Sequence, residues 1–108
     1  MDLKIENISG IGDFATENYV QKEQKLGTLF LAPNQKVFAV LRENLSNNRT
    51  LEIRTDDNLK NLLVEKYETI MQSRYFGIGG VEIVLSGQLN ESDLEDLVRM
   101  SYNLTKDL

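Results

Sequence analysis

The 108-residue sequence contains no cysteine and no histidine. Their absence removes whole branches of chemistry. There is no thiol or imidazole nucleophile, no imidazole general base and no Ser-His-Asp triad. A thiolate or imidazole zinc site is equally excluded. Proline occurs once, at Pro33, and aromatic residues make up 7% of the chain. No stretch approaches the roughly 18 apolar residues that a membrane-spanning helix requires. The first six residues, Met1 to Glu6, contain no apolar core of a signal peptide. Low-complexity tracts, internal repeats and a linker composition are all missing. These absences, with zero cysteine, lead to the expectation of a cytoplasmic protein without a membrane segment.

What is present is an ordinary globular balance, 41% apolar and 27% charged. The length fits one domain, 1–108, with a core large enough to need no disulfide or metal. The net charge is −5, which argues against wrapping a phosphate backbone, since such proteins carry a basic face. The distribution is less one-sided. Residues 20–54 carry Lys22, Lys25, Lys36, Arg42, Arg49 and Arg54 against Glu23, Glu43 and Glu52, and both ends of the chain are acidic. Five N-x-S/T triplets, at Asn7, Asn44, Asn48, Asn90 and Asn103, are read as chance in an Asn-rich chain.

Pro33-Asn34-Gln35-Lys36 is a turn between two apolar runs, Leu29 to Ala32 and Val37 to Leu41. The runs read as an antiparallel hairpin, and the second, apolar on both faces, belongs in mid-sheet. Glu43 to Arg49 is a polar loop. A third strand follows, with Leu51 and Ile53 on one face and Glu52 and Arg54 on the other. The period then changes. Leu59, Leu62, Leu63, Tyr67, Ile70 and Met71 recur at helical spacing, which predicts a helix ending near Gln72. Thr55, Asp56 and Asp57 supply its capping oxygens. Arg74-Tyr75-Phe76 and Val81 to Leu85 read as strands around a glycine turn, Gly77 to Gly80. A last helix spans about Glu91 to Lys106, capped by Asn90, with the stripe Leu94, Leu97, Val98, Ser101 and Leu104. Its early acids suit the helix dipole. The first twenty residues offer a short helix or an edge strand around Phe14 to Val20. The expected class is α+β: a twisted, mostly antiparallel sheet with flanking helices, ordered (α/β)-β-β-β-α-β-β-α.

The glycine cluster precedes a strand, whereas a phosphate loop needs a helix N-terminus behind it, so a hairpin turn is the expected reading. Asp56, Asp57, Glu91, Asp93 and Glu95 sit at helix starts and match no calcium-loop spacing; capping explains them better than a metal. No cofactor and no metal site is expected. Arg74 and Tyr75 pair a guanidinium with an aromatic ring, a combination that stacks on bases or peptides. On a strand, neighbours alternate, so at most one of the two should face a ligand. Tyr67 and Phe76 are expected in the core.

From Lys36 onward the chain resembles the MmcQ/YjbR family of small bacterial proteins. The matching pieces are Lys36-Val37-Phe38-Ala39, Leu51 to Asp56, Gln72 to Gly77, Val81 to Gly87, and Leu89 to Leu104 with Ser101-Tyr102. The resemblance implies an α+β fold likened to secretion chaperones, no catalytic residues, and a DNA-binding label. It also has departures: Val81 stands where many relatives have Trp, and Gly77 to Gly80 replaces a more basic stretch. Together these readings lead to a non-enzymatic binding module. In the first version it binds DNA through phosphate contacts from Lys36, Arg42, Arg49, Arg54 and Arg74, with Tyr75 beside them, and these side chains should gather on one face. In the alternative it is a protein–protein or chaperone-like adaptor module, with an apolar patch or a symmetric dimer. An enzyme would require a deep pocket with carboxylates of raised pKa.

Overall fold

A computed structural model describes residues 3–43 and 49–108. The loop expected over 43–49 lies mostly outside the described residues. Among the described residues a 3₁₀ turn, Ile5–Asn7, precedes six strands and two helices. The strands are β1 (Ala15–Gln21), β2 (Gln24–Leu31), β3 (Val37–Arg42), β4 (Thr50–Arg54), β5 (Ile70–Ser73) and β6 (Gly77–Val84). Helix α1 (Asp57–Lys66) lies between β4 and β5, and α2 (Glu91–Lys106) closes the chain. All strand pairs are antiparallel, in the order β1-β2-β3-β4-β6-β5. The expected α+β class and element order hold, and the N-terminal segment resolves as the edge strand β1.

Both helices cover one face of the sheet. Helix α2 packs across β3 and β4, and α1 packs on β5 and β6. Alternation along each strand supplies the covered face. Ala39 faces Ile53, Ile53 faces Val81, Leu41 faces Leu51, and Leu51 faces Ile83. These side chains join Leu94, Val98 and Tyr102 of α2 and Leu63 of α1 in the main core. Leu51 and Ile53 are fully buried, and truncating either to Ala removes about 2–5 kcal/mol. A bulge refines the pattern. Phe30 pairs with Ala39 and Leu31 with Val37, so Phe38 is the extra residue. Phe38 and Ala39 therefore both belong to the helix-side core, whereas Val37 and Val40 belong to a smaller cluster. Phe38 meets the Tyr102 ring edge-on at 5.0 Å.

The helix starts follow the capping residues. Asp56 accepts the Leu59 N–H at 2.7 Å and Asn90 accepts the Asp93 N–H at 2.8 Å, satisfying first-turn donors. Three expectations need correction. Helix α1 stops at Lys66 rather than near Gln72, with Tyr67 extended. A helix would put Ile70 and Met71 on one face. The strand β5 instead buries Ile70 against Ile83 and leaves Met71 exposed. Second, Gly77 to Gly80 is not a turn. It opens β6, and the turn is Arg74-Tyr75-Phe76. Third, the buried stripe of α2 runs through Tyr102 and Thr105, and Leu104 is exposed.

Candidate functional site

The face opposite the helices carries the polar residues of β4 and β6. In the triplets Leu51-Glu52-Ile53 and Val81-Glu82-Ile83 the aliphatic side chains point to the helices, so both glutamates point away from them. The register places Glu52 directly opposite Glu82. Among the described residues no helix covers this side, yet Glu52 is fully buried and Glu82 is 2% exposed. What covers them is the three-residue β5–β6 turn together with long side chains from neighbouring strands.

Glu52 holds that turn in place. Its Oε1 accepts the Ser73 hydroxyl at 2.8 Å and the Tyr75 N–H at 2.9 Å. The Ser73 Oγ in turn accepts the Phe76 N–H at 2.8 Å. The other carboxylate oxygen accepts Arg42 Nε at 3.0 Å. Arg42 lies with its guanidinium 5.1 Å from the centre of the Tyr19 ring, a cation–π contact. Glu82 is gripped from the turn itself. Arg74 Nε donates to Oε1 at 3.0 Å and Nη2 to Oε2 at 2.6 Å, the forked pairing that suits a guanidinium to a carboxylate. Burial, the largest single influence, raises the Glu82 carboxyl, but the hydrogen bonds from Arg74 and Thr50 and the charges of Arg74 and Arg42 together hold it below its ordinary value. The hydrogen bonds to Glu82 raise Arg74.

Aromatic rings complete the surface. Tyr75 meets Tyr19 edge-on at 5.4 Å and Phe76 edge-on at 5.0 Å. Burial raises the Tyr75 phenol above its ordinary value. The Arg54 guanidinium sits 4.8 Å from the centre of the Phe76 ring, and its Nε donates to the Val37 carbonyl at 2.9 Å. Burial lowers Arg54 from its ordinary value. Phe76 packs on Leu31, Val37 and Val40. Its core is therefore the small cluster on the helix-free face, whereas Tyr67 packs on the main core.

The structure thus gathers Arg42, Arg54, Arg74 and Tyr75 on one face. Arg74 and Tyr75 both lie over it because they occupy a turn, where strand alternation does not apply. Lys36 stands apart, in the β2–β3 turn that Asn34 ties to the Thr105 carbonyl of α2 at 2.8 Å. Arg49 precedes β4, its carbonyl accepting the Leu85 N–H. The residues that sequence reasoning missed as site members are Tyr19, Glu52, Glu82 and Phe76. The repeated aliphatic-Glu-aliphatic triplet was the available signal for the two glutamates. A glutamate between two core-facing residues on each of two adjacent strands places the carboxylates side by side.

The layering is specific. Anions lie at the bottom, guanidiniums above them, and rings at the sides. Arg74 keeps 61% of its side chain exposed although both of its paired nitrogens are engaged. No cluster of three or more metal-ligating side chains occurs among the described residues. Nor is any described helix long and apolar enough to cross a membrane. A hollow of about 310 Å³ opens beside this face, lined by Asp13, Phe14, Glu17, Leu31 and Pro33 among others.

No family model matches the chain, and no curated protein does. Among solved structures, the chain is similar to a protein from Pseudomonas syringae determined as a structural-genomics target. The TM-score is 0.72 at 16% identity, covering 85% of this chain and 86% of that one. The likeness is one of fold.

Proposed function

We propose that the protein is a small non-enzymatic binding module of the MmcQ/YjbR kind, whose working surface is the helix-free sheet face and whose partner is a protein segment. One observation carries the reading. The guanidiniums of Arg42 and Arg74 are already paired with the buried carboxylates of Glu52 and Glu82. A DNA phosphate would have to compete with those carboxylates and leave one of them buried without a partner, which costs several kcal/mol, about 3–5. Around the turn the accessible part of this face includes arginine, tyrosine and methionine, residue types enriched in protein-binding interfaces. Tyr75 is 37% and Met71 44% exposed. A segment that lays an apolar or aromatic side chain on these two, and turns a carboxylate toward Arg54, fits this chemistry.

DNA binding is the second reading. It is favoured by the gathering of Arg42, Arg54 and Arg74 on one face, with the cations outermost. Two experiments separate the readings. Anisotropy of a labelled random-sequence duplex is measured at about 50 mM and about 200 mM salt. The protein reading expects no binding at about 100 μM protein at the lower salt. Binding that collapses with salt and is lost in Arg54→Ala and Arg74→Ala overturns it in favour of DNA. A photo-crosslinking residue in place of Tyr75 then reports the partner in cells. A discrete protein adduct that survives nuclease and disappears with Arg74→Glu supports the protein reading. An adduct equally strong from Leu62 on α1 counts against it.

A further inference from the structure

The strand β1 carries a second feature, independent of what the helix-free face binds. It lies at the end of the sheet and pairs with β2 alone, so its outer edge faces no strand among the described residues. Six of its seven residues are exposed, and Tyr19 is half-buried. An open edge of this length is a template for pairing with another chain. Protective devices are sparse here. The strand holds no proline and no lysine, and Glu17 is its single charge. The register shift beside Tyr19 places the extra residue, Leu26, on β2, so β1 itself is unbulged. The strand ends cleanly at Lys22 and Glu23, both with positive φ.

We infer that β1 pairs with β1 of a second copy of this chain, antiparallel and about a two-fold axis through Asn18. The register follows from symmetry and charge. Antiparallel neighbours in one sheet are related by a two-fold perpendicular to it, so each residue faces one on the same side. An axis at Glu17 would set two carboxylates directly opposite each other, which is unfavourable. An axis at Tyr19 would leave the first residues of the strand unpaired. The axis at Asn18 uses all seven residues. Thr16 then faces Val20 of the second copy, covering a side chain that is 51% exposed. Glu17 faces Tyr19, Ala15 faces Gln21, and Asn18 faces Asn18. No like charges are opposed anywhere along the pair, and the β-branched Thr16–Val20 pair is a favourable one.

The same axis keeps the two helix-free faces on one side. The sheet becomes twelve strands wide, and Glu17 of the second copy arrives beside Tyr19, the ring on which Arg42 and Tyr75 rest. A pairing of two strands alone is small beside the roughly 1,200–2,000 Å² of a standard interface, so the association is weak and reversible.

Sedimentation velocity across about 10 μM to 1 mM reads the association. The wild-type chain is expected to pass from monomer to dimer mass, and a monomer throughout overturns the inference. Asn18 is exposed, so charged replacements leave the fold intact. Asn18→Lys and Asn18→Asp each place like charges face to face on the axis, and each alone is expected to weaken the dimer at least tenfold. An equimolar mixture of the two is expected to recover a dimer containing one chain of each. A dimer that persists in both single variants uses another surface and overturns the β1 pairing, as does a mixture that stays monomeric.

Discussion

Glu52 and Glu82 face each other across β4 and β6, both buried, and each is neutralised by a different arginine. Two like charges placed opposite each other on neighbouring strands are ordinarily unfavourable. Here Arg42 reaches one from β3 and Arg74 reaches the other from the β5–β6 turn, so the pair is stable only while that turn is folded down. Glu52 makes this reciprocal, because it accepts from Ser73 and from the Tyr75 N–H. The turn covers the carboxylates, and one carboxylate shapes the turn.

Glu52→Ala should therefore damage stability and site together. It leaves Arg42 without its buried partner and strips two donors of their acceptor. The expected loss is about 3–5 kcal/mol in urea unfolding. Glu52→Gln keeps an acceptor oxygen for Ser73 and Tyr75 and should lose less, about 1–2 kcal/mol. Amide exchange at Tyr75 separates the effects: fast in the alanine variant, protected in the glutamine one.

The pH dependence follows from Glu82. Its folded-state pKa lies below its unfolded one. The stabilisation is present above the unfolded value of about 4.3 and is lost as pH falls through the folded value. Wild-type stability should drop below about pH 4. Arg74→Met removes the Arg74 hydrogen bonds and charge and leaves burial opposed only by Thr50 and Arg42, so the carboxyl rises relative to wild type. The stabilisation above the unfolded value shrinks, and the deficit of this variant relative to wild type should be larger at pH 7 than at pH 4. Urea unfolding of both proteins at the two pH values checks it, and an equal deficit at both would count against Arg74 as the holder of Glu82.

Much of the fold was legible because the decisive signals were local. Pro33 to Lys36 marked a hairpin turn, Asp56 and Asn90 marked helix starts, and alternation marked β4. The end of α1 was not legible. Residues 67–71 carry no glycine or proline, and Tyr67, Ile70 and Met71 satisfy a helical period as well as they satisfy a strand. The deciding interaction is the pairing of Ile70 with Ile83, thirteen residues away. The candidate site was half legible. Its arginines could be picked out by type, but their pairing with buried carboxylates depends on strand order, and Tyr19 reaches the site from an element the sequence scarcely announced.

Gly80 and Gly79 stand side by side and should respond differently. A Cβ on Gly80 would collide with the Ile53 carbonyl oxygen and stand 2.9 Å from the Phe76 Cβ. Glycine there lets β4 and the ring under Arg54 approach. Gly79 is exposed, and its nearest atom would be the Phe76 carbonyl oxygen at 3.5 Å, an ordinary contact. Gly80→Ala should cost about 1–3 kcal/mol, and Gly79→Ala should stay within about 0.5 kcal/mol of wild type. Thermal melts of the two variants suffice. Equal effects would mean that the cluster acts through chain flexibility and not through close approach.

Ser101 is the hinge pin between the two sides of the sheet. Fully buried on α2, its hydroxyl donates to the Phe38 carbonyl at 2.6 Å and accepts the Arg54 N–H at 2.8 Å. One side chain thereby fixes the helix to β3 and to the end of β4, where Arg54 turns onto Phe76. Ser101→Ala orphans a buried carbonyl and a buried N–H, and should cost about 1–3 kcal/mol. Thr105 offers the control. Its hydroxyl donates to the Ser101 carbonyl one turn earlier, a bond within the helix whose loss orphans nothing. Thr105→Val should therefore be tolerated within about 1 kcal/mol. Chemical shifts of the Phe76 ring read the second consequence: they should move in Ser101→Ala, because Arg54 loses its backbone anchor, and stay fixed in Thr105→Val. If both variants leave the ring unchanged, the helix side does not position the arginine, and the helix-free face is organised by Glu52 and the turn alone.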